Sequence, residues 1–343
     1  MQAVILAAGK STRTHPLTIT KPKPLLKIAN KTLLEHNLDN LLNVVDEVII
    51  VVGYKKNLIK KYLGIRYKNL KIRYVEQKEQ LGTGHAVLTA EHFINGKFLL
   101  MMGDDIYSRN DINNSIKYRY SILVHKTRKW KNFGVVLEKN GILIDFVEKP
   151  KKFVSDLVNT AYYVLDKEIF GYLHSINKSS RNEFEFPDAL NLLAKNESVH
   201  CVQATHWLPI VYPWDLLVAD RNLRGRSNLI GKNSRIHGNV INSTIGDNCL
   251  IKGIVKNSLV MDNAFIDGGS VVEDSVFGEN IHFKGKISAK NNVFSLVNHK
   301  KIKVDRFGAV IGDNSMLKDV VVNAGCKIYP STRIKNKKIM HDV

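Results

Sequence analysis

The chain has 343 residues, 44% of them hydrophobic, and a formal charge of +19 from 51 basic and 32 acidic residues. That length exceeds one usual hydrophobic core and points to two domains, while no apolar run nears the roughly 20 residues of a membrane span, which argues against a membrane protein. The basic residues fall in short scattered groups, such as Lys55-Lys56 and Lys151-Lys152, without interleaved aromatics; this argues against nucleic-acid binding and for small anionic ligands.

Met1-Gln2 carries no basic region of a secretory leader, and Cys201, Cys249 and Cys326 show no metal-type spacing, so a reducing cytoplasm is expected. Residues 3–8, 48–52, 72–75, 98–102 and 122–125 read as buried strands. Between them Thr32 to Glu35 forms a capping box, followed by Leu34, Leu38, Leu41 and Leu42 at helical spacing, and residues 57–63 and 84–93 also read as helices. Alternating strands and helices imply a mostly parallel sheet covered on both faces. Short strands are expected at 134–137, 142–147 and 160–165, as an added substrate-binding region, and a closing helix at 213–223 with Pro213 in its first turn.

From Asn228 the pattern changes. Ile254, Val260, Ile266 and Val272 recur every six residues, as do Val310, Met316, Val322, Ile328 and Ile334, and Ile-Gly-Asp-Asn occurs at 245–248 and 311–314. A six-residue period predicts a hexapeptide β-helix with these aliphatic residues turned inward. The period lapses between Ile287 and Gly308, which predicts an excursion from the coil. The expected domains are therefore 1–227 and 228–343.

The first strand runs into Ala8-Gly9-Lys10-Ser11-Thr12-Arg13. A Walker A loop would need a glycine where Val4 stands, inside the strand, and a dinucleotide fingerprint would need glycines besides Gly9, so both readings fail. What remains is a small-residue loop at the carboxyl end of a strand, with Arg13, Lys21 and Lys23 close behind, three cations suited to an anion.

The run Leu-Ala-Ala-Gly-Lys-Ser-Thr-Arg at 6–13, with Pro16-Leu17-Thr18 and Lys21-Pro22-Lys23-Pro24-Leu25-Leu26, resembles the signature of the sugar-phosphate nucleotidylyltransferases, with Ser11 where that family usually has glycine. The similarity runs over essentially the whole chain, toward archaeal-type proteins that join a Rossmann-like, mixed, mostly parallel α/β domain to a left-handed parallel β-helix. It implies transfer of a nucleotidyl group from a nucleoside triphosphate, UTP by preference, to a sugar 1-phosphate, N-acetylglucosamine 1-phosphate by preference, with Mg²⁺ and release of pyrophosphate. By the same resemblance Arg13 and Lys23 are catalytic, Asp104 holds the metal and Asp105 is structural. Ala8 and Gly9 approach the phosphates, Gln77 reads the base, Gly82 allows close backbone approach, Thr83 caps the next helix and His85 packs. Gly134 meets the N-acetyl group, Glu148 and Asn159 meet sugar hydroxyls, and Lys149 meets the sugar phosphate.

Where the family carries a second metal-binding Asp after Trp207, this chain has Pro209; Asp215 is expected to sit in the closing helix. Related β-helix domains transfer acetyl groups with a His, but His237 and His282 are read as lying without partners and His299 falls in the excursion. An oligomerising or regulatory role, with a homotrimer favoured, is therefore expected of this domain. The alternatives are a glucose-1-phosphate thymidylyltransferase, a bifunctional enzyme that also acetylates glucosamine 1-phosphate, and a non-catalytic regulatory scaffold of the same layout.

Overall fold

A computed structural model describes residues 1–343. The chain divides into two compact units: Met1–Gly9 with Leu34–Pro209, and Lys10–Leu33 with Ile210–Val343. In this grouping Lys10–Leu33 and the closing helix fall with the C-terminal ladders. No helix is long and apolar enough to cross a membrane.

The first unit is built on one ten-stranded sheet. Its strands are β1 (Gln2–Ala7), β2 (Glu47–Val52), β3 (Arg66–Tyr67), β4 (Leu70–Glu76), β5 (Phe98–Met102), β6 (Ser121–Lys126), β7 (Val135–Lys139), β8 (Ile142–Val147), β9 (Leu157–Leu165) and β10 (His200–Gln203), in spatial order β7-β8-β10-β6-β9-β5-β1-β2-β4-β3. The core β4-β2-β1-β5 is parallel, as the alternation of strands and helices predicts. The extension is antiparallel except where β10 pairs β6, so the sheet as a whole is mixed. The segments expected at 134–147 and 160–165 extend this same sheet. Helices α1 (Leu33–Leu41), α2 (Lys56–Leu63), α3 (Thr83–Leu88), α4 (Arg109–Ser115), α5 (Ile169–Ser175) and α6 (Phe186–Asn196) belong with it. One apolar core joins Val4 and Leu6 of β1 to Ala86 and Val87 of α3 and to Phe186, Leu190 and Leu193 of α6.

The second unit contains α7 (Asp215–Arg224) and two sheets whose strands stack in parallel ladders, one of six strands and one of nine. Leu229 pairs with Thr244, Thr244 with Leu259, and Leu259 with Val276, the last step being longer than the two before it. The predicted excursion folds as an antiparallel hairpin, Lys290–Val297 with Lys300–Phe307.

The strict six-residue period misplaces some inward residues. Val260, Ile266 and Val272 are fully buried as expected, but Ile254 is 43% exposed and Met316 38% exposed, and their neighbours Val255 and Leu317 take the inward places. Because these circuits are unequal, and shorter than three full hexapeptides, successive inward positions cannot all lie six apart. Leu317→Ala is expected to destabilise the unit by about 2–5 kcal/mol and Met316→Ala by under about 0.5 kcal/mol, as equilibrium denaturation would show; equal costs would refute this assignment of faces.

Candidate active site

In the first unit β1 and β5 run side by side, Leu6 opposite Met102. Leu6, Leu100 and Met102 floor a cleft of about 250 Å³. Thr83, Glu148, Lys149 and Asn159 line it, so four of the predicted residues meet in one place. Gly134 stands just behind: its carbonyl accepts the Asn159 N–H at 2.9 Å, and a Cβ there would lie 2.8 Å from Glu148 Oε2 and 2.2 Å from the Phe146 ring. Any larger residue at 134 would displace that carboxylate. Asn159 donates from Nδ2 to the Tyr163 hydroxyl (2.7 Å) and accepts from Ala161 N (2.8 Å), which fixes the amide at an irregularity in the β9–β6 register.

Gln77 is almost fully buried at the end of β4; its Nε2 donates to the Gly82 carbonyl (3.0 Å) and lies 3.2 Å from His85 Nδ1. The expected packing role of His85 is thus an orienting one. The helix cap differs from expectation. Gly82, at φ +97°, precedes α3 as its cap, and Thr83 is its first residue. Thr83 Oγ1 instead accepts the N–H of Phe186 at 3.2 Å and so ties α3 to α6. A Cβ on Gly82 would come within 2.5 Å of the Phe184 carbonyl, so the positive φ and the close approach both demand glycine. Gln80 Nε2 donates to the Ala8 carbonyl at 2.7 Å, which joins this loop to the end of β1, where Gly9 is exposed.

Sequence reasoning missed Tyr163, Arg181 and Glu185, which also line the cleft. Arg181 donates from Nε and Nη2 to Glu185 Oε1 at 3.1 and 2.9 Å. The signal was the charged turn before Pro187 at the start of α6, whose distance along the chain from Glu148 hid its relevance. Burial pushes the Tyr163 phenol up, so it stays protonated and serves as a hydrogen-bonding wall.

Asp104 follows β5 after Gly103, whose N–H donates to the Leu6 carbonyl at 2.9 Å. Asp105 fits its structural reading: Oδ2 accepts from Trp207 Nε1 at 3.2 Å and its carbonyl accepts from Asn37 Nδ2 at 2.7 Å. Trp207 and Leu208 pair antiparallel with Tyr107 and Ile106, so the next step of that register sets Pro209 opposite Asp105. No group of three or more His, Cys, Asp or Glu side chains is arranged so that it could hold a metal ion. A strand-end carboxylate of this kind suits a hard cation such as Mg²⁺, which binds through one or two carboxylates plus substrate phosphates and water.

Arg13 and Lys23 lie in the second unit, in the segment that leaves β1. Ser11 adopts φ +51° and ψ +50°, the conformation a glycine would take without strain. Its carbonyl accepts from Thr14 N (3.1 Å), Thr14 Oγ1 (2.8 Å) and Thr18 Oγ1 (2.9 Å), which holds the turn. Arg13 is exposed; Lys23 is buried in a single 3₁₀ turn between Pro22 and Pro24. Lys21 is not left for a ligand, because its ammonium pairs with Glu279 at 2.5 Å and Asp313 at 3.2 Å. Asp215 begins α7 and accepts the N–H groups of Val211 and Tyr212 at 2.8 and 2.7 Å, closing the turn before its own helix. His282 does have partners: Asp267 Oδ2 at 2.7 Å and the stacked Phe265 ring. Cys249 and Cys326 are buried and Cys201 is half-buried; burial pushes their thiols up to about 11, 11 and 12, which leaves no nucleophilic thiolate at neutral pH.

Residues 2–222 match the family model described as nucleotidyl transferase. Over 250 residues the chain is 39% identical to the bifunctional protein GlmU of Methanococcus maripaludis, covering 70% of this chain and 60% of that protein, so it spans about 60% of the length of such relatives. Over 237 residues it is 35% identical to the UTP–glucose-1-phosphate uridylyltransferase AglF of Haloferax volcanii, covering 65% of this chain and 97% of that one. A crystal structure of a UDP-glucose pyrophosphorylase complexed with UDP-glucose superposes with a TM-score of 0.60 at 24% identity, over 66% of this chain and 99% of the other, a likeness of fold. The family model spans well over half of the sequence, and the chain belongs to the nucleotidyl transferase family.

Proposed function

We propose that this protein transfers a nucleotidyl group from a nucleoside triphosphate to a sugar 1-phosphate and releases pyrophosphate. The observation that carries this reading is the convergence of Glu148, Lys149 and Asn159 on one cleft at the carboxyl ends of β1 and β5. Ligands of open α/β sheets bind at such strand ends. A sugar 1-phosphate suits the cleft's chemistry: carboxylate and amide oxygens for hydroxyls, with Lys149 and Arg181 for the phosphate. The family resemblance, which sets the Gly134 backbone against an N-acetyl group beside Glu148 and Asn159, favours N-acetylglucosamine 1-phosphate. A glucose 1-phosphate acceptor is the second reading, favoured by the substrate named for the Haloferax volcanii relative.

In the reaction a phosphate oxygen of the sugar 1-phosphate attacks the α-phosphorus, the new P–O bond forms, and the bond to the α–β bridging oxygen breaks with its electrons leaving on pyrophosphate. A phosphomonoester has its second pKa near about 6 and is already mostly dianionic at neutral pH, so no general base is required. The obstacle is repulsion between a dianion and a polyanion, and catalysis is alignment plus neutralisation of charge. Arg13 and Lys23 bind the triphosphate, with the amides after Ala8 and Gly9. Gln77, oriented by His85 and the Gly82 carbonyl, reads the pyrimidine edge of UTP. Asp104 would hold Mg²⁺, which supplies charge neutralisation at the phosphates. The parallel pairing fits a β-helix over residues 228–343; the left-handed coil, its association as a homotrimer and residues 1–227 as the transferase region belong to the same proposal by the family resemblance.

Pyrophosphate release with Mg²⁺, assayed across four triphosphates and three sugar 1-phosphates, is expected to peak with UTP and N-acetylglucosamine 1-phosphate and to fall by about 100-fold or more in Asp104→Ala. No release in any combination would leave the non-catalytic scaffold as the better reading. His85→Ala is expected to raise the KM for UTP about 3- to 30-fold through loss of one hydrogen bond to Gln77, with the KM for the sugar phosphate unchanged; parallel changes in both would assign His85 to general packing.

A further inference from the structure

The ladders of the second unit turn the same corner again and again through a short motif: Gly246-Asp247-Asn248, Met261-Asp262-Asn263, Gly278-Glu279-Asn280 and Gly312-Asp313-Asn314. Each Asn is left-handed, with φ of 57°, 59°, 57° and 62°. The result is a column of four carboxylates. Asp262 Oδ1 accepts the N–H of Asp247 (3.0 Å) and Asp313 Oδ1 that of Glu279 (2.8 Å), so one oxygen of each of these two aspartates stitches adjacent rungs. A Cβ on Gly278 would lie 2.1 Å from Asp313 Oδ1, so that stitch requires glycine.

The second oxygens of Asp262 and Asp313, and the Glu279 carboxylate, bond the Lys10–Leu33 segment. Asp262 Oδ2 accepts from Lys27 Nζ at 2.5 Å. Asp313 Oδ2 accepts from Thr20 Oγ1 at 2.5 Å and lies 3.2 Å from Lys21 Nζ, which also pairs with Glu279 at 2.5 Å. Burial alone would lower the Lys27 ammonium; the Asp262 hydrogen bond and the charges of Asp262, Asp247 and Glu279 outweigh it and hold the group above its ordinary value. Further along, Asn30 Nδ2 donates to the Ile245 carbonyl (3.0 Å), Ala29 N to Asp220 Oδ1 (2.9 Å), and Asn298 Nδ2 to Thr12 Oγ1 (3.1 Å). Lys23 sits between the anchored Lys21 and Lys27, and Arg13 beside the anchored Thr12.

We propose that the carboxylate column, through Asp262, Glu279 and Asp313, is a positioning device that presets the cationic Lys10–Leu33 segment for the triphosphate; this rests on the function proposed above. These are positioning residues: by holding Thr20, Lys21 and Lys27 they fix the backbone that carries Arg13 and Lys23. An unanchored segment of this composition would have to be ordered at each binding event, which weakens affinity.

Asp313→Asn keeps the oxygen that stitches the rungs and removes the charge, and Lys27→Met changes only the segment's side. Hydrogen exchange of the full chain should show faster exchange in peptides covering 10–33 in both variants, with the ladder peptides unchanged. The KM for UTP should rise about tenfold while that for the sugar 1-phosphate stays constant. Segment exchange equal to wild type, or acceleration spread over the ladders alike, would overturn the proposal, as would a matched rise in both KM values. If the wild-type chain releases no pyrophosphate, the functional reading fails, and the exchange result alone decides whether the column positions the segment.

Discussion

The parallel pairing of β1 between β2 and β5 is the constraint on which the first unit depends. Ala3, Val4 and Ile5 are fully buried, and β1 is bonded along its length to Glu47–Val52 on one side and to Phe98–Met102 on the other. A strand buried on both faces with both edges paired has no room for polar side chains. Polar chemistry can therefore emerge only where the strands end. Gly9, Asp104 and the cleft over Leu6, Leu100 and Met102 all follow from that, as does the tether of Gln80 to the Ala8 carbonyl.

Charge is the second organising constraint. A net +19 reads, in composition, as a broad attraction for anions. Locally, part of that charge is used within the fold. Lys21 and Lys27 are taken up by Glu279, Asp313 and Asp262, and Arg224 is buried against Asp220 at 2.8 Å. These pairs hold backbone in place, and the carboxylates of Asp262, Asp313 and Asp220 are also bonded to other groups, which lowers the penalty of removing the charges from water. The basicity available to a ligand is smaller than the sequence total, and it is concentrated in short stretches of known position.

Much of the architecture was legible in the sequence because it rests on local periodicity. The apolar runs at 48–52 and 98–102 are strands, Ile142–Val147 is a strand, and the lapse after Ile287 is a hairpin. The grouping of Glu148, Lys149 and Asn159 also follows from their neighbourhood in chain order, since β7 pairs with both β8 and β9. Arg181 and Glu185 were not legible as cleft residues: the charged turn ahead of α6 is visible in the sequence, but its return to a cleft lined by Glu148 is a contact made across the chain.

Other features were decided by tertiary structure alone. Gly82 caps α3 in place of Thr83 because the Phe184 carbonyl crowds the position and α6 claims the Thr83 hydroxyl. Val255 and Leu317 displace Ile254 and Met316 inward because a rung falls short of three whole hexapeptides, as the pairing register shows. Lys21 and Lys23, two residues apart in the same Lys-Pro-Lys-Pro run, have indistinguishable sequence signals. Lys21 is tied to Glu279 and Asp313 because these partners, remote along the chain, lie 2.5 and 3.2 Å from it. Sequence alone determined the strands, the repeat and the reactive residue types, since these depend on side-chain size, charge and spacing along the chain. Which carboxylate each cation meets depends on contacts across the chain, and these exist only once it has folded.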